Sequence, residues 1–251
     1  MGCDTKAPDG YDPRAYPPVA VTVDVVTFTI VGDQLQILLV RRGQDPYRGR
    51  WALPGGFVRD DEGLEAAALR ELQEETGVIA QPCYLEQLGT YGKPDRDPRM
   101  RVVTVAYWAI LANLPKPRGG GDAADAGLFP VVMVEADALE LAFDHRKIIE
   151  EAVERVRSKL EYTTLAARFC PPEFTISQLR RVYELVWNAR IEPANFHRKV
   201  TSSPDYLRST GDLTDPSPGG GRPAAIYQIG DADYVSSPIP RSPTPRKRRS
   251  P

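Results

Sequence analysis

Apolar positions along this chain follow two different periods, and the change between them divides it into units. From residue 18 to about 130 they come mostly as β-branched and aromatic runs. "VAVTVDVVTFTI" and "LQILLVRR", separated by "VGDQ", predict a hairpin. "RWALPGGFV" predicts a strand that breaks at a Pro-Gly-Gly turn, and "CYLEQLGTYG", "RVVTVAYWAIL" and "LFPVVMV" predict three more strands. The stretches "KPDRDPRM" and "PKPRGGGDAADAG" read as polar loops. Two segments in this unit have helical spacing instead. Residues 64–76, "LEAAALRELQEET", are strong helix formers halted by Gly77, and residues 145–161 place Ile148, Ile149, Ala152 and Val156 on one side. The sum is an α+β unit covering residues 18–161.

A second unit, 162–235, opens with "CPPEFTISQLRRVYELVWNAR". Thr175 and Gln178 have the spacing of a capping box, and Ile176, Leu179, Val182, Tyr183 and Val186 share one helical face. A shorter helix is expected in "EPANFHRKVTSS", with Pro193 in its first turn and Phe196 and Val200 four apart. Two strand candidates, "DYLRS" and "AAIYQI", bracket the loop "PSPGGGRP". Helix, turn, helix and hairpin in that order predict a winged helix-turn-helix. Residues 1–17 and 236–251, rich in Pro and poor in apolar residues, are expected to be a disordered arm and a disordered basic tail.

Charge sharpens this division. Residues 171–251 carry 12 Lys or Arg against 8 Asp or Glu, whereas residues 1–170 carry 20 against 26. An acidic body with a basic C-terminal region suggests two tasks. The longest apolar run, "VVTVAYWAILA", is too short to span a bilayer, the N-terminus has no apolar signal core, and Cys3, Cys83 and Cys170 have no ligand spacing. A reducing, cytoplasmic setting and no membrane partner are expected.

The most informative chemistry lies in "GFVRDDEGLEAAALRELQEETGV". Glu71, Glu74 and Glu75 stand at i, i+3 and i+4, so three like charges share one helix face. Such clustering costs a few tenths of a kcal/mol per pair and gives no structural return. A hard divalent cation, Mg²⁺ or Mn²⁺, would neutralise it. Arg70 is placed to pair with Glu74 at i+4.

This segment resembles the Nudix box: Gly56, Glu62 after five residues, and Arg70-Glu71-Leu72-Gln73-Glu74-Glu75-Thr76-Gly77-Val78 after seven more. The resemblance implies a Nudix fold, a mixed sheet between helices, and metal-dependent hydrolysis of a nucleoside diphosphate derivative. It also implies Glu71, Glu74, Glu75 and the Gly56 carbonyl as metal ligands, with Glu74, Glu75 and Arg70 as the catalytic set. "LLVRRGQDPYRGRWALPGGFV" and "PDRDPRMRVVTVAYW" look like the ADP-ribose-handling branch. Arg41, Arg99 and Arg101 are expected at the ligand, with Trp51 or Tyr91 stacking a base; core packing of Trp51 is the open alternative.

With the winged helix following it, the chain is similar to the Nudix-related transcriptional regulators of NAD biosynthesis over roughly residues 18–230. That similarity implies a homodimer whose first domain senses ADP-ribose and whose second binds operator DNA. The DNA-facing set would be Asn195, His197, Arg198, Lys199 and Ser202, with Arg222 on the wing. Many members of that family have a degraded box, whereas every glutamate is present here. The competing expectation is an ADP-ribose pyrophosphatase whose C-terminal domain serves only dimerisation.

Overall fold

The computed structural model of the chain describes residues 10–78, 84–112, 114–215 and 223–241. Among the described residues, the first unit is a seven-stranded mixed sheet covered by helices on both faces. β1 (Ala20–Val31) and β2 (Gln34–Arg42) form the expected hairpin, with Phe28 opposite Ile37. β2 is flanked by β3 (Trp51–Ala52), and β1 pairs with β4 (Gly55–Phe57). On the other side of β1, β6 (Val102–Ile110) runs parallel to it and antiparallel to β5 (Tyr84–Tyr91). β7 (Ala123–Pro130) adds to β2.

Because both faces are covered, β1 and β6 are near-continuous apolar runs. Val23, Val25, Val105, Tyr107 and Ala109 face Ala67 and Ala68 of α1 (Leu64–Thr76). On the opposite face, Val26, Phe28, Ile37 and Trp108 join Val131 and Val134 of α2 (Val131–Glu135) and Ile148, Ile149, Ala152 and Val156 of α3 (His145–Tyr162).

The expected strand "LFPVVMV" differs from what is found. β7 starts earlier, inside the predicted loop, and Val131–Glu135 is a short helix. The reason lies in the spacing: Val131 and Val134 are buried three apart while Val132 is exposed, which suits a helical turn and not an alternating strand.

The second unit consists of β8 (Phe174–Thr175), α4 (Ile176–Trp187), α5 (Pro193–Thr201), β9 (Leu207–Leu213) and β10 (Ala225–Ile229). Its strands pair antiparallel in the order β8-β10-β9. The capping box forms, with Gln178 N donating to Thr175 Oγ1 at 3.2 Å and Thr175 N to Gln178 Oε1 at 2.7 Å. Asn188, at φ 48, closes α4. Pro193 opens α5, whose first amides at Ala194 and Asn195 donate to the Glu192 carboxylate at 2.9 and 2.6 Å.

The two units share one core. Tyr183, Trp187, Phe196, Val200 and Tyr206 are continuous with the apolar cluster beneath α3. Among the hydrogen bonds that cross the join, Arg157 Nε donates to Val186 O at 2.9 Å, and Trp187 Nε1 donates to Arg157 O at 2.9 Å. Arg181 of α4 pairs with Asp33 in the β1–β2 turn at 3.0 Å.

After β10 the chain returns across α3 as a strap. Val235 N and Ile239 N donate to the carbonyls of Tyr162 and Glu161 at 3.0 and 2.8 Å. Ile239 is 3 % exposed, and Arg241 pairs with Glu154 at 2.8 Å and Glu161 at 2.6 Å. The expected start of an unfolded tail at residue 236 therefore does not hold for 236–241; three partners on α3 anchor a segment that composition alone makes look unfoldable. Residues 242–251 lie outside the described residues, as do Arg222 and its loop 216–222. No helix among the described residues is long and apolar enough to cross a membrane.

Candidate functional site

α1 carries the box glutamates, and its packing decides where they point. Ala67, Ala68, Leu72 and Thr76 are its buried positions, which turns Glu71 and Glu75 toward the β3–β4 turn. Gly77, at φ 65, ends the helix and donates to Gln73 O. Contact with the turn is close enough to require its glycines. A Cβ on Gly56 would lie 2.4 Å from Glu71 Oε1, and one on Gly55 would lie 2.2 Å from Val23 O.

Arg70 organises the polar side of this helix. Its Nε donates to Glu62 at 2.9 Å, its Nη1 to Glu71 at 2.6 Å and Glu74 at 3.1 Å, and its Nη2 to the Phe57 carbonyl at 3.1 Å. Arg59 adds a second contact to Glu74 at 3.2 Å. The hydrogen bond from Arg70 holds the Glu62 carboxyl down at about 2. Glu75 behaves in the opposite way. Burial pushes its carboxyl up to about 8, against the hydrogen bond from Gly55 N at 3.0 Å, and the nearby Glu71 and Asp24 carboxylates add to the rise.

Glu75 opens onto a cleft that is continuous with solvent. Gly55, Gly56, Phe57, Arg99, Arg42, Asp24 and Phe143 are among its walls. Of the four residues expected at the ligand, Arg99 lines the cleft, clasped by Asp97 at 2.7 Å and lying 5.5 Å over the Phe57 ring. The other three expected ligand residues are not in its lining. Arg41 turns to the Gly49 carbonyl at 3.1 Å, Trp51 packs on Phe129 with ring centroids 4.4 Å apart, and Arg101 donates to Gly92 O at 2.6 Å. Tyr91 is buried with its hydroxyl donating to Glu151 at 2.6 Å, so it has no free face for a base.

Alternation along β2 explains the first of these: Val40 and Arg42 face the cleft, so Arg41 faces away. Arg42, and not its neighbour Arg41, is therefore the arginine of this strand that lines the cleft. Sequence reading also missed the cleft floor. Asp24 accepts from Thr104 Oγ1 at 2.7 Å, and Arg96 bridges Asp24 at 3.5 Å and Asp144 at 2.8 Å. His145 Nδ1 accepts from Leu53 N at 2.9 Å, leaving Nε2 as the protonated nitrogen, 3.5 Å from Asp24. Burial lowers the His145 pKa and keeps it neutral. A carboxylate inside the run "VTVDVVTF" was the available signal for this floor.

The donor set fits a hard divalent cation in its chemistry. Glu71 and Glu75 present carboxylate oxygens beside the Gly55-Gly56 turn, and the raised Glu75 carboxyl lacks a cationic partner strong enough to offset its burial. Among the described residues, however, no three acidic or imidazole side chains converge as a metal-holding cluster. Arg70 is the shared partner of Glu71 and Glu74 instead.

The second candidate surface is α5. Phe196 and Val200 are buried, with Phe196 set edge-on to Tyr183 at 5.2 Å. Asn195, His197, Arg198 and Ser202 are exposed. Arg198 donates to Asn195 at 3.2 Å and Ser202 to the Lys199 carbonyl at 3.2 Å, while the Lys199 ammonium reaches the strap at Pro238 O, 2.7 Å away.

Fold and site together define a class: a carboxylate-bearing cleft in a mixed sheet, joined to a winged helix-turn-helix module. Comparison with known proteins agrees. The NUDIX domain family model matches residues 20–152, and that of the NrtR DNA-binding winged helix domain matches residues 166–229. The chain is 36 % identical over 227 residues to the ADPR responsive transcriptional repressor NtrR of Acinetobacter baylyi, covering 89 % of this chain and 87 % of that one. It is 39 % identical over 138 residues to the ADP-ribose pyrophosphatase of Methanocaldococcus jannaschii, covering 55 % and 75 %. The crystal structure of Shewanella oneidensis NrtR complexed with a 27mer DNA matches with a TM-score of 0.73 at 33 % identity, covering 88 % of this chain and 99 % of that one. The NUDIX domain of the same protein, complexed with ADP ribose, matches at 41 % identity with a TM-score of 0.53, covering 59 % and 94 %. The chain belongs to the NrtR family of Nudix-related transcriptional regulators.

Proposed function

We propose that this protein is an ADP-ribose-responsive repressor of NAD biosynthesis genes, acting as a homodimer, whose Nudix domain also hydrolyses ADP-ribose to AMP and ribose 5-phosphate. The observation carrying this reading is the intact set Glu71, Glu74 and Glu75, with Glu75 lining a cleft and Glu71 against its Gly56 wall, in a core continuous with a helix whose polar face is exposed. Names of the relatives point the same way: one is responsive to ADP-ribose, and one was crystallised with DNA and, as its Nudix domain, with ADP-ribose. Glu71, Glu74, Glu75 and the Gly56 carbonyl would hold Mg²⁺ or Mn²⁺, which would polarise the diphosphate and lower the pKa of water. Arg70 would keep Glu71 and Glu74 in place, and Arg99 and Arg42 would face the diphosphate charge. Asn195, His197, Arg198 and Ser202 would meet the operator, Lys199 after leaving Pro238, and Arg222 from the wing.

A metal-supplemented assay for AMP release tests the hydrolytic part; no AMP with either ion would leave only the sensor. Operator binding by the Glu75→Gln variant, with and without ADP-ribose and without metal, tests the repressor part, because this variant cannot consume its effector. Coupling of about 1–3 kcal/mol would weaken operator binding about five- to hundredfold. Unchanged affinity would make ADP-ribose a substrate and not a signal. Failure of the wild type to bind any upstream region of an NAD biosynthesis gene would instead favour a pyrophosphatase with a dimerisation domain.

A further inference from the structure

α5 is nine residues long and rests on α4 through one narrow apolar edge, Phe196 and Val200. A short helix held along one edge can rock about it, so the direction of its exposed face depends on what supports its flank. At about 100° per residue, Arg198 stands opposite that edge and Lys199 beside it. The flank of Lys199 is where the strap, residues 235–241, comes across. Lys199 Nζ donates to Pro238 O at 2.7 Å, and Ser203 Oγ, just past the helix, lies 3.2 Å from both Ser236 Oγ and Lys199 O.

The other side of the strap is built onto the end of α3. The last carbonyls of a helix have no partner within it, and here those of Glu161 and Tyr162 accept from Ile239 N at 2.8 Å and Val235 N at 3.0 Å. Ile239 is buried in the core that α3 shares with α4 and α5, and the Arg241 guanidinium reaches Glu154, Glu161 and Ser158, the last at 2.8 Å. The strap thus bridges two helices. Its amides, Ile239 and Arg241 engage α3, while its Pro238 carbonyl and Ser236 hydroxyl engage the end of α5.

α3 begins at the cleft floor. Asp144, immediately before it, holds Arg96 at 2.8 Å, and His145, its first residue, accepts from Leu53 N at 2.9 Å close to the glycine turn. A shift of α3 at the cleft can therefore reach α5 along one helix and the strap. The tie from Arg157 to Val186 and Trp187 also leaves α3, but it ends on α4, which bears on α5 at the apolar edge.

We propose that the strap makes α5 follow α3, with Ile239 and Arg241 as positioning residues, so that the response of operator binding to a ligand in the cleft depends on it. Lys199 gives the link two arrangements, its ammonium on Pro238 O or on a DNA phosphate. This rests on the reading of the protein as an ADP-ribose-responsive repressor.

The test is operator binding by the full chain in EDTA, with and without saturating ADP-ribose, and the quantity read is the ratio of the two affinities. Wild type should show a ratio of about five- to hundredfold, and Ile239→Ala combined with Arg241→Ala should bring it below about twofold. Calorimetry should find ADP-ribose binding unchanged in the same variant. A strap that merely stabilises the second unit would weaken both affinities alike and leave the ratio at its wild-type value, which would overturn the proposal. Arg241→Ala alone, which keeps Ile239 in the core, replaces the double variant if that one melts below the assay temperature; it should lower the ratio, and Arg241→Lys should restore it. A lowered ratio in Arg181→Ala, whose pair with Asp33 joins the units away from the strap, with none in the strap variants, would also overturn it. Wild type whose operator binding ignores ADP-ribose defeats the parent reading, whereas a normal wild-type ratio that survives loss of the strap contacts defeats only this one.

Discussion

α1 and α5 are both short helices dense with charge, and they treat that charge in opposite ways. At α1, Arg70 gathers Glu71 and Glu74 together with Glu62 from just before the helix, and Glu75, against the Gly55 amide, is recessed deeply enough to resist ionising. On α5 the buried edge is apolar, and most of the polar side chains face solvent with light local pairing. In the first arrangement Arg70 and Arg59 offset Glu71 and Glu74, and the unfavourable burial that is left falls on Glu75. The second costs nothing in water, and DNA is inferred for it from the surrounding fold and the relatives. Clustered like charge identifies a site; exposed charge only permits one.

That contrast can be broken at several points. The largest effect is expected for Glu75→Gln, which should lower AMP release by orders of magnitude while leaving the fold intact, as read by steady-state kinetics and circular dichroism. A Glu75→Gln protein with wild-type turnover would remove the case for α1 as a metal-carrying helix. Next is Phe196→Ala on the buried edge of α5, expected to cost about 3–5 kcal/mol in chemical denaturation. It should reduce operator binding only through the loss of folded protein. Replacing Arg198 and Lys199 together should leave stability nearly unchanged and weaken operator binding by about 1–3 kcal/mol if a base contact is lost. Equal weakening on unrelated DNA, with a flatter salt dependence, would assign them to phosphate alone.

Smaller still is a pH effect at the cleft floor. His145 is buried with its pKa below the ordinary 6.5, so the unfolded chain takes up a proton that the native state refuses. Its stabilising contribution is present above about pH 6.5 and is lost as pH falls, by at most about 1.4 kcal/mol per pH unit. Asp24, Asp144, Arg96 and Arg42 surround it, so the comparison should be made against His145→Gln, whose denaturation midpoint should fall less between pH 7 and 5.5. Least of all, Arg181→Ala should change stability by under about 1 kcal/mol, because its pair with Asp33 is exposed.

How far the sequence could be read follows the same contrast. The box was legible because Glu71, Glu74 and Glu75 have a spacing with one physical interpretation, and α4 because Thr175 and Gln178 announce its start. Arg41 and Arg42 were not separable, since which of two adjacent strand residues faces a cleft is set by sheet register. Trp51 suits a core and a ligand equally well by composition, and here it packs on Phe129. The floor built by Asp24, Arg96 and His145 joins residues far apart in the chain, so local spacing could not reveal it. β7 and α2 were misplaced because a Pro-centred apolar stretch is ambiguous between strand and helix until its burial is known.

The strap has a practical side for anyone trimming this protein. A cut at residue 235 or 236, the natural choice for removing the basic tail, would also remove Ile239 from its seat on α3, unpair Glu154 and Glu161, and release Lys199. Weaker DNA binding after such a cut would be misread as the contribution of the tail's cations. The informative truncation ends at Arg241, and an affinity handle belongs beyond that residue, so that whatever changes can be charged to the removed segment alone.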